Sequence, residues 1–225
     1  WYNGKRAETA DGSQLLEAPD DALAFALYSV PGYLDIVVEH FVREKLEKGF
    51  VDSCTNEILG LIRERLHPDL KALVVNTDEG PFFYHMQTMG MVAGMDQHLE
   101  VADLKGDDVL AWRQDLSDCL EDKRDPKMWG EKVEDRRKIF GVNVHPVYGG
   151  WYAYRGLVLL RTALCATLPK PVPLDFVTQE DMRRIVREYN LQHEQSRWRD
   201  LLLGDHPAER RYAPDEYLFF VETSS

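Results

Sequence analysis

Hydrophobic and polar positions mark out a strand-rich middle flanked by amphipathic helices. Two runs of alternating β-branched and aromatic residues, Lys138 to Val144 and Trp151 to Leu160, enclose His-Pro-Val-Tyr-Gly-Gly. That pattern predicts a β-hairpin around a glycine-containing connection. Period two puts Trp151, Ala153, Arg155, Leu157 and Leu159 on one face and Tyr152, Tyr154, Gly156, Val158 and Leu160 on the other, so neither face is polar. A strand apolar on both faces belongs in the centre of its sheet, where Arg155 is out of place unless something meets its charge. Gly149, Gly150 and Gly156 remove side chains where the backbone turns or another group comes close, a flat ligand being one candidate.

Upstream, Asp21 to Val30 reads as a strand broken by Pro31-Gly32. Tyr33 to Lys48 reads as a helix with Leu34, Val37, Val38, Phe41, Val42 and Leu46 near the 3.6 period. Cys54 to Leu66 is a second helix stopped by His67-Pro68, and Leu70 to Val75 a second strand. Tyr84 to about Glu100 reads as a third helix carrying Met86, Met89, Met91 and Met95, with Gly90 and Gly94 at helical spacing. Tight packing on a sheet with methionines filling gaps explains this composition, and a helix flanking a broad planar ligand is the sharper alternative. Asp103 to Pro126 is acidic, and Trp112, Leu116 and Leu120 predict one surface helix with a solvated charged face. Pro169 to Pro173 is a stiff connector, Thr178 caps a helix running to about Leu203, and Pro214 to Val221 forms a last short helix.

With 225 residues, 44% of them hydrophobic, the chain can bury a real core in one domain. A net charge of −12 argues against a nucleic-acid or anionic-membrane partner, both of which need a basic footprint. An anionic cosubstrate must then meet a local basic pocket. Cys54, Cys119 and Cys165 are few, odd in number and widely spaced, which suits a reducing cytoplasm, and no zinc spacing is present. No apolar run reaches the roughly 18 residues of a membrane helix, so a soluble chain is expected. It begins at Trp1 and not at Met, which leaves room for a removed targeting segment. There is no nucleophile elbow, HExxH or Gly-rich phosphate loop, so chemistry must come largely from bound cofactors.

His145-Pro146-x-Tyr148-Gly149-Gly150-Trp151, followed by Arg155-Gly156 and an aliphatic run, resembles the CblC (MMACHC) family of cyanocobalamin reductases and alkylcobalamin dealkylases. Trp1-Tyr2-Asn3, Leu23-Ala24-Phe25, Asp52-x-Cys54, Gln87-Thr88, Val92-Ala93-Gly94, Trp129-Gly130, Trp198-Arg199-Asp200 and Arg211-Tyr212 fall in the family's order. The resemblance therefore covers nearly the whole chain as a single domain over 1–225, with 101–126 as a family-variable insertion. It implies an α+β fold, a flavin-reductase/nitroreductase-like antiparallel sheet flanked by helices. It further implies removal of the upper ligand from methyl-, adenosyl- and cyanocobalamin, bound with the dimethylbenzimidazole base off the cobalt and no protein ligand in its place. Alkyl groups would leave by transfer to glutathione, and cyanide by reduction with FMN or FAD, with NADPH as the electron source. A CblD-like (MMADHC) trafficking protein is the implied downstream partner.

Arg155 and Arg199 stand at the positions that the family assigns to glutathione binding. Guanidinium forks suit its two carboxylates, and their field favours the attacking thiolate. Read without the family, Arg155 is an internal ion pair and Arg199 a helix surface charge near Asp200. The family's cobalamin contacts carry over to Tyr84, His85, Met86 and Gln87, and to Asn143 and Tyr154. Asn76 is a further candidate, and His98, Leu99 and Glu100 follow where no gap intervenes. His145 precedes a proline at a strand end, which favours a structural role over a cobalt ligand, so no metal ligand is expected from the protein. The mammalian protein has Cys at the Asn143 position and His at Met91, so no thiol or imidazole can act there, and the family's further downstream arginine has no counterpart before Ser225. A cobalamin escort with little turnover, and a flavin-dependent nitroreductase-like enzyme without a cobalamin role, are the competing readings.

Overall fold

A computed structural model describes residues 17–41, 50–76, 85–202 and 211–223. In chain order they form β1 (Ala22–Ser29), α1 (Tyr33–Phe41), α2 (Phe50–Arg65), β2 (Ala72–Asn76), α3 (Met86–Val92) and β3 (Gln97–Leu99). These are followed by α4 (Val109–Lys123), α5 (Pro126–Trp129), α6 (Val133–Arg137), β4 (Val142–Val144), β5 (Ala153–Leu164), α7 (Gln179–Gln192) and α8 (Pro214–Thr223). Every strand pairing among the described residues is antiparallel. Backbone contacts divide the chain into two compact units, one taking the chain up to Met95, Trp151–Leu174 and the part from Pro207, the other Asp96–Gly150 and Asp175–His206.

In the first unit β5 is the centre of a three-stranded sheet, order β1-β5-β2. The two-sided apolar pattern explains this, since each face has a helix to meet. Leu157 and Leu159 pack with Met89 and Met86 of α3, while Val158 and Leu160 pack with Leu59 and Ile62 of α2. The register also explains how an arginine survives in this strand. Leu27 of β1 faces Gly156 and the next residue, Tyr28, faces Tyr154, so the ladder slips one residue at Arg155. The β2 ladder stops at Asn76 opposite Gly156. Arg155 thus occupies a bulge in the β1 pairing, one residue past the end of the β2 ladder, where a strand can re-aim a side chain. Gly156 is explained by the protein itself: a Cβ there would lie 2.4 Å from the Val75 carbonyl oxygen, so the close group is β2 backbone and not the flat ligand that was one candidate.

Helix α3 is shorter than its methionine pattern predicts. It stops at Val92, and Gly94 (φ +70°) takes the left-handed closing position, with its N–H donating to Met91 O at 3.1 Å and that of Met95 to Gly90 O at 3.0 Å. The rest of the expected helix becomes β3. At the other end of this unit α8 returns Glu216, 2% exposed, whose carboxylate accepts from the N–H groups of Gly32 at 3.1 Å and Leu34 at 3.2 Å.

The second unit overturns the expected hairpin. β4 pairs with β3, with Asn143 opposite His98, and does not pair with β5. The connecting motif closes on itself instead: His145 and Gly149 exchange both backbone hydrogen bonds, at 2.8 and 2.9 Å. The acidic segment forms the expected surface helix: α4 turns Leu116 and Leu120, both fully buried, onto Leu99, Val142, Val144, Met182, Ile185 and Val186, while most of its charged residues stay exposed. Its carboxylates are not merely solvated. Asp108 at its start meets Arg183 at 2.6 Å, Asp115 meets Arg187 at 2.7 Å, and Glu121 meets Arg137 at 2.5 Å. α7 ends at Gln192 and not near Leu203, because the Gln192 backbone leaves the helical region at φ −140° and ψ 36°; single turns follow through Asp200, with Ser196 at φ +54° between them. No helix among the described residues is long and apolar enough to cross a membrane.

Candidate functional site

The first unit holds Asn76, His85, Met86, Gln87, Tyr154 and Arg155 of the expected contacts, while Tyr84 lies outside the described residues. The bulge presents Arg155 to β1 and the start of α1. Its Nε donates to Ser29 Oγ at 2.8 Å, and its guanidinium carbon sits 5.0 Å from the Tyr33 ring centre. A hydroxyl and an aromatic face hold this guanidinium just past the end of the β2 ladder, a setting from which a planar fork can also reach an anion. Tyr154 lies beside it in an edge-to-face chain with Tyr152 at 5.6 Å, which in turn meets Tyr28 at 6.2 Å.

Asn76 is the last residue of β2, 2% exposed, and its Nδ2 donates to Asn56 Oδ1 at 2.7 Å. His85 caps α3, with Nδ1 accepting from the Thr88 N–H at 3.2 Å and facing Thr88 Oγ1 at 2.7 Å. Its Nδ1 thereby serves the fold. Met86 packs on the sheet, as a gap-filling methionine should, and Gln87 is half-buried on the same helix.

The second unit holds His98, Leu99, Glu100, Asn143 and Arg199. Leu99 is fully buried in the core of that unit, so its side chain serves packing. His98 and Asn143 face each other across β3 and β4, with Nδ1 and Oδ1 2.6 Å apart, and Asn143 Nδ2 donates to Asp96 Oδ1 at 2.6 Å. Glu100 stands on the other side of the imidazole, 4.0 Å from Nε2. Asp96 was not visible from the sequence, where it reads as one acid near the end of an expected helix. Only the cross-strand register shows that this wholly buried carboxylate backs Asn143.

Arg199 is tied to the glycine turn. Its Nη1 donates to the Gly150 carbonyl, the Gly150 N–H donates back to the Arg199 carbonyl at 3.2 Å, and its guanidinium lies 4.7 Å from the Trp198 ring centre. Trp198 is buried, stacked by His193 and met edge-on by Tyr189. Burial pushes the Tyr189 phenol up, and burial followed by the charge of Arg199 holds the His193 imidazole below its usual range. A Cβ at Gly150 would meet Trp198 Cζ3 at 2.4 Å, so this glycine too makes room for a protein side chain and not for a ligand.

His145 takes the structural role. Its Nδ1 accepts from the N–H groups of Val147 at 3.0 Å and Tyr148 at 3.3 Å, and burial holds its pKa below the usual imidazole value. Among the described residues no group of three or more His, Cys, Asp or Glu side chains could hold a metal ion.

Comparison with known proteins adds three findings. The sequence profile of the methylmalonic aciduria and homocystinuria type C family matches residues 1–225. The chain is 31% identical over 229 residues to a chicken (Gallus gallus) protein named cyanocobalamin reductase / alkylcobalamin dealkylase, covering 98% of this chain and 82% of that one. It is 29% identical to the human protein of the same name, covering 98% of this chain and 69% of that one. Among solved structures, the Caenorhabditis elegans B12-trafficking protein CblC, described as a human MMACHC homologue, superposes with a TM-score of 0.69 at 21% identity, covering 98% of this chain and 81% of that one. At that identity the superposition speaks for the fold alone. The profile match along the whole length and the chicken relative carry the assignment, and the chain belongs to the methylmalonic aciduria and homocystinuria type C (MMACHC) family.

Proposed function

We propose that the chain processes cobalamins by removing the upper ligand from cobalt, acting as an alkylcobalamin dealkylase and a cyanocobalamin reductase. The relatives that share its whole length carry those two activities in their names. The sheet then belongs to the flavin-reductase/nitroreductase class, and residues 1–225 act as a single cobalamin-processing domain in which 101–126 varies across the family. The observation that carries the reading is the environment of Arg155. A central strand has bulged to hold a guanidinium against a hydroxyl and a ring, an arrangement suited to receiving an anionic cosubstrate.

In dealkylation the thiolate of glutathione attacks the alkyl carbon, the sulfur–carbon bond forms as the cobalt–carbon bond breaks, and the bond pair stays on cobalt. Arg155 and Arg199 serve by binding the carboxylates of glutathione and favouring its thiolate. Reduced FMN or FAD, recharged by NADPH, supplies the electrons for decyanation. Asn76, Tyr84, His85, Met86, Gln87, Asn143 and Tyr154 contact the cobalamin, together with the segment His98, Leu99 and Glu100. The substrate sits base-off, without a protein ligand on cobalt, which makes the metal easier to reduce and the upper bond easier to break. We place this activity in the cytoplasm, with a CblD-like (MMADHC) protein receiving the product.

The nematode relative is described as a B12-trafficking protein, which favours a second reading of this chain as an escort that hands cobalamin on with little turnover. One absorbance experiment separates the two. Methylcobalamin should turn yellow on binding at neutral pH in both cases, and only the enzyme should change the spectrum further when glutathione is added. No spectral change on mixing overturns the cobalamin reading altogether.

A further inference from the structure

The hydrogen bonds from Asp96 through Asn143 to His98 have a direction set by chemistry. Asn143 donates from Nδ2 to the Asp96 carboxylate at 2.6 Å, because a carboxylate accepts and cannot donate. That leaves Oδ1, an acceptor, 2.6 Å from His98 Nδ1, so Nδ1 must carry the proton. In the neutral ring the lone pair is then on Nε2, which faces the half-exposed Glu100 carboxylate at 4.0 Å. Two acceptors therefore stand side by side. Gly141 makes room for the imidazole itself: a Cβ there would lie 2.6 Å from Cε1 and 2.7 Å from Nε2 of His98. The anchor is deep, since Asp96 is 0% and Asn143 6% exposed, while the His98 side chain is 22% exposed.

We propose that Asp96 is a positioning residue which, through Asn143, locks His98 in its Nδ1–H tautomer, so that Nε2 and the Glu100 carboxylate together receive the N–H2 of a primary amide on the ligand. The inference rests on the cobalamin reading and deepens it, since the corrin is fringed with primary amides. The two hydrogens of an amide diverge by about 120°, which separates their acceptors by about 5 Å at ordinary hydrogen-bond lengths. Receiving both hydrogens therefore requires the Glu100 side chain, 52% exposed, to swing out from 4.0 Å to that span. A carboxylate in place of the amide brings no hydrogens and meets a like charge, so the pair discriminates between them.

Two measurements test this. The nitrogen chemical shifts of the His98 imidazole, read by NMR on the full chain without ligand, should show a protonated Nδ1 and a pyridine-like Nε2. Asp96→Asn should release that tautomer, because an asparagine at 96 allows the Asn143 amide to turn over. A protonated Nε2 in the unsubstituted chain overturns the proposal. The second measurement compares affinity for cyanocobalamin with that for its monocarboxylic acids, each with one side-chain amide hydrolysed. At least one isomer should bind about tenfold more weakly, and Glu100→Ala should erase that difference. Gly141→Ala crowds Nε2 without changing any charge and should weaken cyanocobalamin binding about as much as His98→Ala does. Intact cyanocobalamin binding with the same discrimination in Glu100→Ala overturns the inference alone. An absence of any cobalamin binding by the unsubstituted chain removes the functional reading and this inference with it.

Discussion

Gly150 and Arg199 hold each other by two hydrogen bonds, the glycine N–H to the arginine carbonyl at 3.2 Å and the arginine Nη1 to the glycine carbonyl. The glycine has no room for a side chain, since a Cβ would reach Trp198 Cζ3 at 2.4 Å and Arg199 Cγ at 2.8 Å. A glycine in the motif and an arginine 49 residues later are thus one structural device.

Gly150→Ala should therefore displace Trp198 and Arg199 together. Overpacking of this kind destabilises by about 1–3 kcal/mol, and Gly150→Asp should do more by adding a charge beside a buried indole. Thermal unfolding should show the alanine variant melting about 2–4 °C lower per kcal/mol lost. If Arg199 also binds glutathione, dealkylation should weaken in Gly150→Ala at temperatures where the fold is intact. An unchanged melting temperature would mean that the turn relaxes around the methyl group.

Arg155→Lys keeps the charge and loses the planar fork that reaches Ser29 Oγ while presenting donors to an anion. Glutathione affinity and dealkylation should fall together by about ten- to a hundredfold at subsaturating glutathione, with cobalamin affinity within a few-fold. Flavin-driven decyanation should suffer much less, because electron delivery needs no carboxylate anchor. Equal loss of both activities would assign Arg155 to the cobalamin pocket, and an unchanged dealkylation rate would make it structural.

Glu216 joins the last helix to the first by accepting the N–H groups of Gly32 and Leu34. Glu216→Ala leaves these donors at the start of a helix without their carboxylate, which should destabilise the fold by about 1–3 kcal/mol in chemical denaturation. Removing α8 altogether should cost more, since its Tyr217 also packs on Trp151 at 6.0 Å.

His145 gives stability a defined dependence on acid. Burial lowers its pKa in the folded chain below the unfolded imidazole value of about 6.5, so the unfolded state binds the proton more tightly. Its contribution is complete above that unfolded value and is lost as pH falls from there toward the lower folded one. Unfolding measured across this interval should show a smaller acid loss for His145→Asn than for the unsubstituted chain. Asparagine can still accept from the backbone of the turn but does not titrate. Equal acid dependence in both would place the proton uptake elsewhere, with His193 the next candidate because its pKa is lowered too.

The sequence by itself determined which segments are strands and helices wherever periodicity met an unambiguous stop. Trp151 to Leu160 had to be central because both faces were apolar, and Thr178 had to begin a helix because its hydroxyl caps the Asp181 N–H. The order of short motifs sufficed to point to the family. Only the tertiary structure decided who pairs with whom. β4 joins β3 and not β5, because strand partners are chosen by packing between distant segments while sequence pattern records only alternation. The fold likewise decided which arginines meet the acids on the exposed face of α4, since they lie on α6 and α7. The glycines show the same limit. Their lack of a side chain is legible at once, but whether a ligand, the Val75 carbonyl or the Trp198 ring fills the space depends on contacts made only when the chain has folded.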